Sequence, residues 1–372
     1  MIVAGEASGD LHGGKLVSSL VQQQPNVEIF GVGGDNMRSA GMDLMFHVED
    51  LSFMGFTEVI KHLGDIRKVF NSLVEAAIKQ RPDIIVLIDY PGFNLRLGKK
   101  LKAFGFKIIY FIAPQVWAWH QSRAKKMAGF IDRMAVIFDF EVEFFKKYGI
   151  DARFVGHPLV DGLKTKLSQE EFSATFNVPK DADILGLFPG SRNQEIDQLL
   201  PTMVETAQRL RQKYPQLVIA VSQAETISDE KMLQHLGDAE KIVIIKNAAY
   251  ELMSIAKASM VASGTATLET ACFQTPFVLL YKVSPFSYFI GKRVVKIPFI
   301  GLVNIVAGKE VVKEFIQENA SANMIFADIE KSLFDAEYRS RQISELGRIK
   351  MKLGAPGASS KTAELILEMI SE

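Results

Sequence analysis

An α/β fold with two doubly wound parallel sheets is predicted for this 372-residue chain. Three observations predict it. Short β-rich apolar runs alternate with longer helical patterns, the runs are apolar throughout instead of alternating, and the rhythm stops at a polar stretch and then restarts. Unbroken apolar runs suit parallel strands covered by helices on both faces. Their alternation with helices gives right-handed crossovers.

The strands expected in the first half are Ile2–Ala4, Val27–Gly31, Ile84–Ile88, Lys107–Ile112, Arg133–Ile137 and Arg153–Val155. Helical stretches such as Phe56–Lys79 and Asn94–Phe104 lie between them. Residues 161–183 read as a linker with a short helix. New strands are expected at Ile184–Phe188, Leu217–Val221, Lys241–Ile244, Ser259–Ala262 and Pro276–Leu280. The expected division is a first domain over 1–160 and a second over 161–354. An amphipathic tail helix at about 355–372 follows the hinge-like Gly354-Ala355-Pro356-Gly357, and packs back on the first domain or on a partner chain.

Composition narrows the function. The length suits two domains, and 48% hydrophobic with 23% charged residues is globular. Lys plus Arg equals Asp plus Glu at 43 each, so there is no basic footprint for nucleic acid. A single cysteine, Cys272, excludes an internal disulfide framework, and no Cys/His cluster has zinc spacing. A reducing compartment is expected. No charged leader precedes a long apolar stretch, so no signal peptide is expected. Runs such as Ile84–Ile88 are too short to span a bilayer, which leaves peripheral contact. The first strand is short, with Gly5 close behind Met1, and points to a start upstream.

Ligands of doubly wound sheets sit beyond the carboxyl ends of the strands, and two such sheets create a cleft between domains. The loops at those ends therefore carry the candidates. Gly5-Glu6-Ala7-Ser8-Gly9-Asp10 follows the first strand, where glycines let backbone approach a ligand. Gly9 to Lys15 nearly spells a P-loop, but Leu16 stands where Ser or Thr would hold magnesium, against ATP hydrolysis. Gly31-Val32-Gly33-Gly34 is either a tight turn or a ligand contact. Asp89 ends a buried strand and is either a general base raised by desolvation or a cap for the next helix. Trp117 and Trp119 share one loop, as a floor for a sugar or acyl group or as core plugs.

In the second half, Pro189-Gly190-Ser191-Arg192 links a strand to a long helix. Ser191 suits its cap, and its free N–H groups with the Arg192 fork suit a phosphate. Ser263-Gly264-Thr265 opens a second helix, with Glu269 one turn inside as a ribose-diol partner or a capping acid. Asp181-Ala182-Asp183 resembles a metal-holding pair but precedes its strand, so no metal site is expected. Residues 285–300 mix aromatics with Lys292, Arg293 and Lys296, a pattern suited to a membrane surface or to a half-buried helix.

Taken in order, these loops resemble the lipid-A-disaccharide synthase family. The motifs are GEASGD, Gly31–Gly34, Met54-Gly55-Phe56-Thr57-Glu58-Val59, IDYPGFN, APQVWAW, VGHPL, PGSR, SGTATLE and residues 304–310. That family is similar to the GT-B glycosyltransferases, with two Rossmann-like domains facing an interdomain cleft. The resemblance implies an inverting, cofactor-free and metal-independent transfer from UDP-2,3-diacylglucosamine to 2,3-diacylglucosamine 1-phosphate (lipid X), releasing UDP. It implies a Gram-negative cell, the cytoplasmic face of the inner membrane, and admits a homodimer with exchanged C-terminal segments. Asp89 becomes the expected base, with Glu6 and His12 as further catalytic candidates. The UDP-sugar falls to Ser191, Arg192, Ser263, Gly264, Thr265 and Glu269, joined by Asn304 and Glu310 on the resemblance alone. Gly9, Met54 and Trp117 fall on the acceptor side. His120 stands where a more basic residue is expected in relatives. The rival readings are a UDP-N-acetylglucosamine 2-epimerase, the N-acetylglucosaminyltransferase of peptidoglycan synthesis, or a non-catalytic UDP-sugar-binding module.

Overall fold

The computed structural model describes residues 1–51, 62–119, 121–236, 242–284, 288–289 and 297–372. The chain divides into two compact units, Met1–Asp161 with Leu353–Glu372, and Gly162–Lys352.

The first unit runs β1 (Ile2–Ala4), α1 (Ala7–Gln23), β2 (Phe30–Gly33), α2 (Asp35–Ser39), β3 (Asp43–His47), α3 (Leu63–Gln80) and β4 (Ile85–Ile88). It continues with α4 (Pro91–Lys102), β5 (Ile108–Phe111), α5 (Ser122–Met127), β6 (Arg133–Val136), α6 (Asp139–Lys146) and β7 (Asp151–Phe154). Its sheet is parallel, in the order β3-β2-β1-β4-β5-β6-β7. β4, β5 and β6 are buried at every residue, as strands covered on both faces must be.

The second unit runs α7 (Gln169–Phe176), β8 (Ile184–Phe188), α8 (Asn193–Lys213), β9 (Val218–Gln223), α9 (Asp229–Leu236), β10 (Ile242–Lys246), α10 (Ala249–Ile255) and β11 (Ala258–Ala262). It ends with α11 (Thr265–Cys272), β12 (Phe277–Tyr281), α12 (Leu302–Ala307), β13 (Glu314–Ile316), α13 (Ala322–Phe334) and α14 (Ala336–Lys352). Its parallel sheet has the order β10-β9-β8-β11-β12-β13. The two orders are the same winding, reversing between β1 and β4 in one unit and between β8 and β11 in the other.

β3 and β13 carry no signal in the sequence reading. Both are edge strands, one only partly buried and the other three residues long, so neither shows the apolar run of an interior strand. The strand expected at Val27–Gly31 begins at Phe30 instead. Before it the chain is still turning out of α1, with Val27 N–H donating to the Gln24 carbonyl at 3.0 Å. Of the expected helix Phe56–Lys79, the part before residue 62 lies outside the described residues.

Asp10, at the end of the GEASGD motif, is 4% exposed and works as a clasp. Its carboxylate accepts from the backbone N–H groups of Gly34 (2.6 Å), Asn36 (3.1 Å) and Met37 (3.1 Å), and from Asn36 Nδ2 (2.7 Å). Burial pushes its pKa up, but the Asn36 side chain and these N–H groups outweigh that and hold it below the ordinary range. Residues 31–33 are thus strand, and Gly34 opens α2, whose first turn is capped by an anion from α1. The last helix, α15 (Ala358–Ser371), packs on α1. Arg133 reaches its end through Glu368 (3.4 Å) and Glu372 (3.0 Å), and Lys107 Nζ donates to the Met369 carbonyl at 2.7 Å.

Candidate active site

In the first unit the winding reverses between β1 and β4, and the loops that leave those strands carry Glu6 and Asp89. Asp89 is half-buried. Burial raises its carboxyl pKa, the Glu6 charge adds to that, and the Tyr90 backbone N–H opposes both. Its backbone is left-handed, φ 43°, as is that of Tyr90 at 49°. The N-cap of α4 is Tyr90, without a side-chain cap, so Asp89 is not the helix's cap. Asp89 lines a cavity of about 240 Å³ together with Ile112, Gln115, Trp119, Arg123 and Phe138.

Trp117, read from the sequence as a sugar or acyl floor or a core plug, is buried. It is 6% exposed, its indole N–H donates to Glu141 Oε1 at 3.0 Å, and its ring meets Phe140 edge-on at 5.1 Å. A buried indole needs an acceptor, and Glu141 supplies it. The tryptophan that lines the cavity is Trp119, 52% exposed. Glu141 also accepts from the N–H groups of Ile137 (3.2 Å) and Phe138 (3.1 Å). Burial drives its pKa up to about 7 against these three donors. Below that value the acid is protonated, and above it a buried carboxylate faces the indole. In a Trp119→Phe background, Trp117 emission is therefore expected to titrate with a midpoint near 7. Glu141→Gln should abolish the transition, and a pH-independent signal would refute the assignment.

The other candidates of this unit separate. Glu6 is exposed at the N-cap of α1, close enough to act on the Asp89 carboxyl. His12 is half-buried on α1, its pKa lowered by burial and then by Lys15, with Asp161 opposing. Its charge bears on the buried His157, whose pKa falls to about 4 mainly through burial. Gly9 is buried, and a Cβ there would lie 3.2 Å from the Ala4 Cβ, so its place is the close seat of α1 on β1. Met54 with its 54–59 motif, and His120, lie outside the described residues.

In the second unit the corresponding loops leave β8 and β11. Arg192, not Ser191, is the N-cap of α8. The N–H groups that lead into that helix are already taken. Glu195 Oε2 accepts from the N–H groups of Ser191 (2.9 Å) and Arg192 (3.2 Å), and Oε1 from the Arg192 guanidinium (3.1 Å). This internal carboxylate sits where a free anion was expected, because an acid at the third helical position folds back on the cap. Gly190, φ 111°, makes room: a Cβ would lie 2.2 Å from Glu195 Oε2. The Arg192 side chain remains 81% exposed. Beyond β11, the N-cap of α11 is Gly264, which has no side chain to cap the helix. Glu269 is half-buried and accepts from the Tyr250 hydroxyl at 3.1 Å; burial raises its pKa, and Tyr250 opposes.

Asn304 lies in α12 and Glu310 in the stretch before β13. Asn304 is fully buried, and its amide is spent on the chain after α12. Its Oδ1 accepts from Val311 (2.8 Å) and Val312 (3.0 Å), while Nδ2 donates to Val312 O (2.7 Å) and Glu314 Oε1 (2.9 Å). Glu310 precedes β13 and so lies at the amino edge of the sheet, opposite to Ser191 and Ser263. There it pairs with Lys313 at 3.3 Å. Gln342 Nε2, bonded to the carbonyls of Phe277 (3.0 Å) at the start of β12 and of Val311 (3.3 Å), marks the same edge. Asp183, from the rejected Asp-x-Asp, pairs with Lys257 at 2.7 Å.

A sequence model described as Lipid-A-disaccharide synthetase matches residues 1–369. The lipid-A-disaccharide synthase of Geobacter metallireducens is 41% identical over 373 residues, covering 100% of this chain and 97% of its own. The chain belongs to the lipid-A-disaccharide synthase family. The Trichlorobacter lovleyi member is 42% identical with the same coverage. Membership makes the chain a hexosyltransferase of lipid A disaccharide synthesis. A Neisseria meningitidis UDP-GlcNAc 2-epimerase, solved with UDP-GlcNAc bound, superposes with a TM-score of 0.64 at 11% identity, covering 96% of this chain and 97% of its own. That likeness is one of fold, and shows the GT-B-type pair of Rossmann-like units. Among the described residues no helix is long and apolar enough to cross a membrane. The segment 285–300 lies mostly outside those residues.

Arg123, Glu141 and Glu195 stand beside the candidates and were not singled out from the sequence. Glu195 had a legible signal, standing three residues after the cap position. Arg123 and Glu141 had none, since only the fold brings them beside Asp89's cavity and Trp117.

Proposed function

We propose that this family member joins UDP-2,3-diacylglucosamine to 2,3-diacylglucosamine 1-phosphate, with Asp89 as general base, at the cytoplasmic face of the inner membrane. The acceptor's 6-hydroxyl oxygen attacks the donor's anomeric carbon, its proton passes to Asp89, and the bond to UDP breaks with inversion. The observation that carries this reading is the half-buried Asp89 carboxyl, raised in pKa and lining a cavity beyond β4. A carboxylate whose pKa burial has raised is a stronger base than a solvated one, and suited to take that proton. Negative charge on departing UDP would meet the uncapped N-terminus of α11 and the exposed Arg192 fork, with Glu269 on the ribose.

Because Glu195 already holds the Ser191 and Arg192 N–H groups, Arg192 would contribute through its side chain alone. Arg192→Ala is expected to weaken UDP binding about 10-fold, the low end for a charge-assisted bond at an exposed site. Calorimetric titration with UDP checks this, and unchanged affinity would remove Arg192 from the nucleotide. The reaction itself is tested by UDP release from UDP-2,3-diacylglucosamine in detergent micelles with EDTA, with and without lipid X. Release that depends on lipid X supports the transfer and both substrates. Intact UDP binding without release would refute them.

A further inference from the structure

Two buried side chains behind Asp89 hold its backbone, and neither has a place in the transfer as described so far. The Asp89 carbonyl accepts from Asn94 Nδ2 at 2.9 Å and from the Tyr110 hydroxyl. The same Asn94 amide also faces the carbonyls of Ile88 (3.0 Å) and Val3 (3.3 Å). One side chain on α4 thus ties the ends of β1 and β4 together where the winding reverses. Asn94 and Tyr110 are both fully buried, and Asp89 N–H is itself bonded to the Phe111 carbonyl at 3.0 Å.

This arrangement is expensive for folding alone. Asp89 and Tyr90 are successive residues in the left-handed region, where a side chain is unfavourable. Such strain persists only where the surroundings over-determine it. Asn94 Oδ1 is also buried without a hydrogen-bond partner, a second cost that an apolar residue of the same shape would avoid. Both costs serve one end: the backbone angles at Asp89 set the direction of its Cβ, and hence of its carboxylate.

We infer that Asn94 and Tyr110 are positioning residues, which fix the Asp89 carbonyl from behind and so aim its carboxylate into the cavity shared with Trp119 and Arg123. They touch no substrate. The inference rests on Asp89 as the base, and the test separates the two. Asn94→Ala also unties β1 from β4 and threatens folding, so the primary variant is Tyr110→Phe, which removes one oxygen and leaves the ring in place.

Misaiming a catalytic group by a fraction of an ångström lowers turnover, with a full ångström worth about 10²-fold. Tyr110→Phe is therefore expected to lower kcat about 10-fold, with KM for both substrates within about 2-fold. Combined with Asp89→Asn, it should cause no further loss, because nothing remains to be aimed. An unchanged kcat with only a lower melting temperature would overturn the inference. So would the same fold-loss in the Asp89→Asn background, which would place Tyr110's effect elsewhere. Near-normal rates in Asp89→Asn alone would instead remove the base, and the positioning role with it.

Discussion

Asp89→Asn is expected to lower turnover by at least ~100-fold, the usual size of a general-base effect, while UDP binding stays unchanged. The substitution keeps the shape of the side chain and removes its ability to take a proton. The sign of the pH dependence follows from burial. Asp89 is raised above the ordinary aspartate range, first by desolvation and then by the Glu6 charge. Only its deprotonated form can act, so kcat/KM should fall as pH drops through that raised value, at a higher pH than an exposed aspartate would give. Glu6→Gln should move this acid limb towards lower pH, because it removes a charge that opposes ionisation. Single-turnover rates against pH for the three proteins check all of this. Wild-type rates in Asp89→Asn would end the assignment.

Gly31→Ala should have the largest effect on stability. Gly31 pairs with Ile2 between β1 and β2, has φ 142°, and a Cβ there would lie 2.1 Å from the Ile2 carbonyl oxygen. The clashing atom is backbone in a strand bonded on both sides, to β2 and to β4. Relief requires β1 and β2 to part. A cost of about 4 kcal/mol or more is expected, in the range reserved for such steric and strain mechanisms. Unfolding of a two-unit chain is not expected to be two-state. The measurement is therefore a urea titration followed by probes in each unit. The first unit's transition should move to lower urea and the second's stay in place. Two unmoved transitions would refute the prediction.

Much of the fold was legible because it rests on the sequence pattern that interior parallel strands cannot avoid. Ile84–Ile88 and Ile184–Phe188 are buried on both faces, so every residue must be apolar, and the reading located them within one residue. β3 and β13 are edges, where that demand lapses. The placement of the candidates was legible where position along a strand decides: Asp89, Arg192 and Ser263 all lie just beyond the carboxyl ends of strands. The partners of buried side chains were not legible in this way. In sequence Trp117 is open between a floor and a core plug, and Asn304 is named on the resemblance alone; the structure gives each an internal partner, Glu141 in one case and the 311–314 chain in the other. Nothing local announces such partners, because they come from elements distant in sequence or from the other end of a loop.

The return of α15 to α1 means that the first unit is written in two separate parts of the message, with the whole second unit between them. On the ribosome, residues 1–161 emerge early and must wait, with the α1 face that α15 covers still open, until the last residues are made. A premature stop just after residue 352 would leave the second unit's chain entire and damage the unit that carries Asp89. Such a product should sediment with chaperones while its second unit still folds, which makes the carboxyl terminus a checkpoint on the first unit.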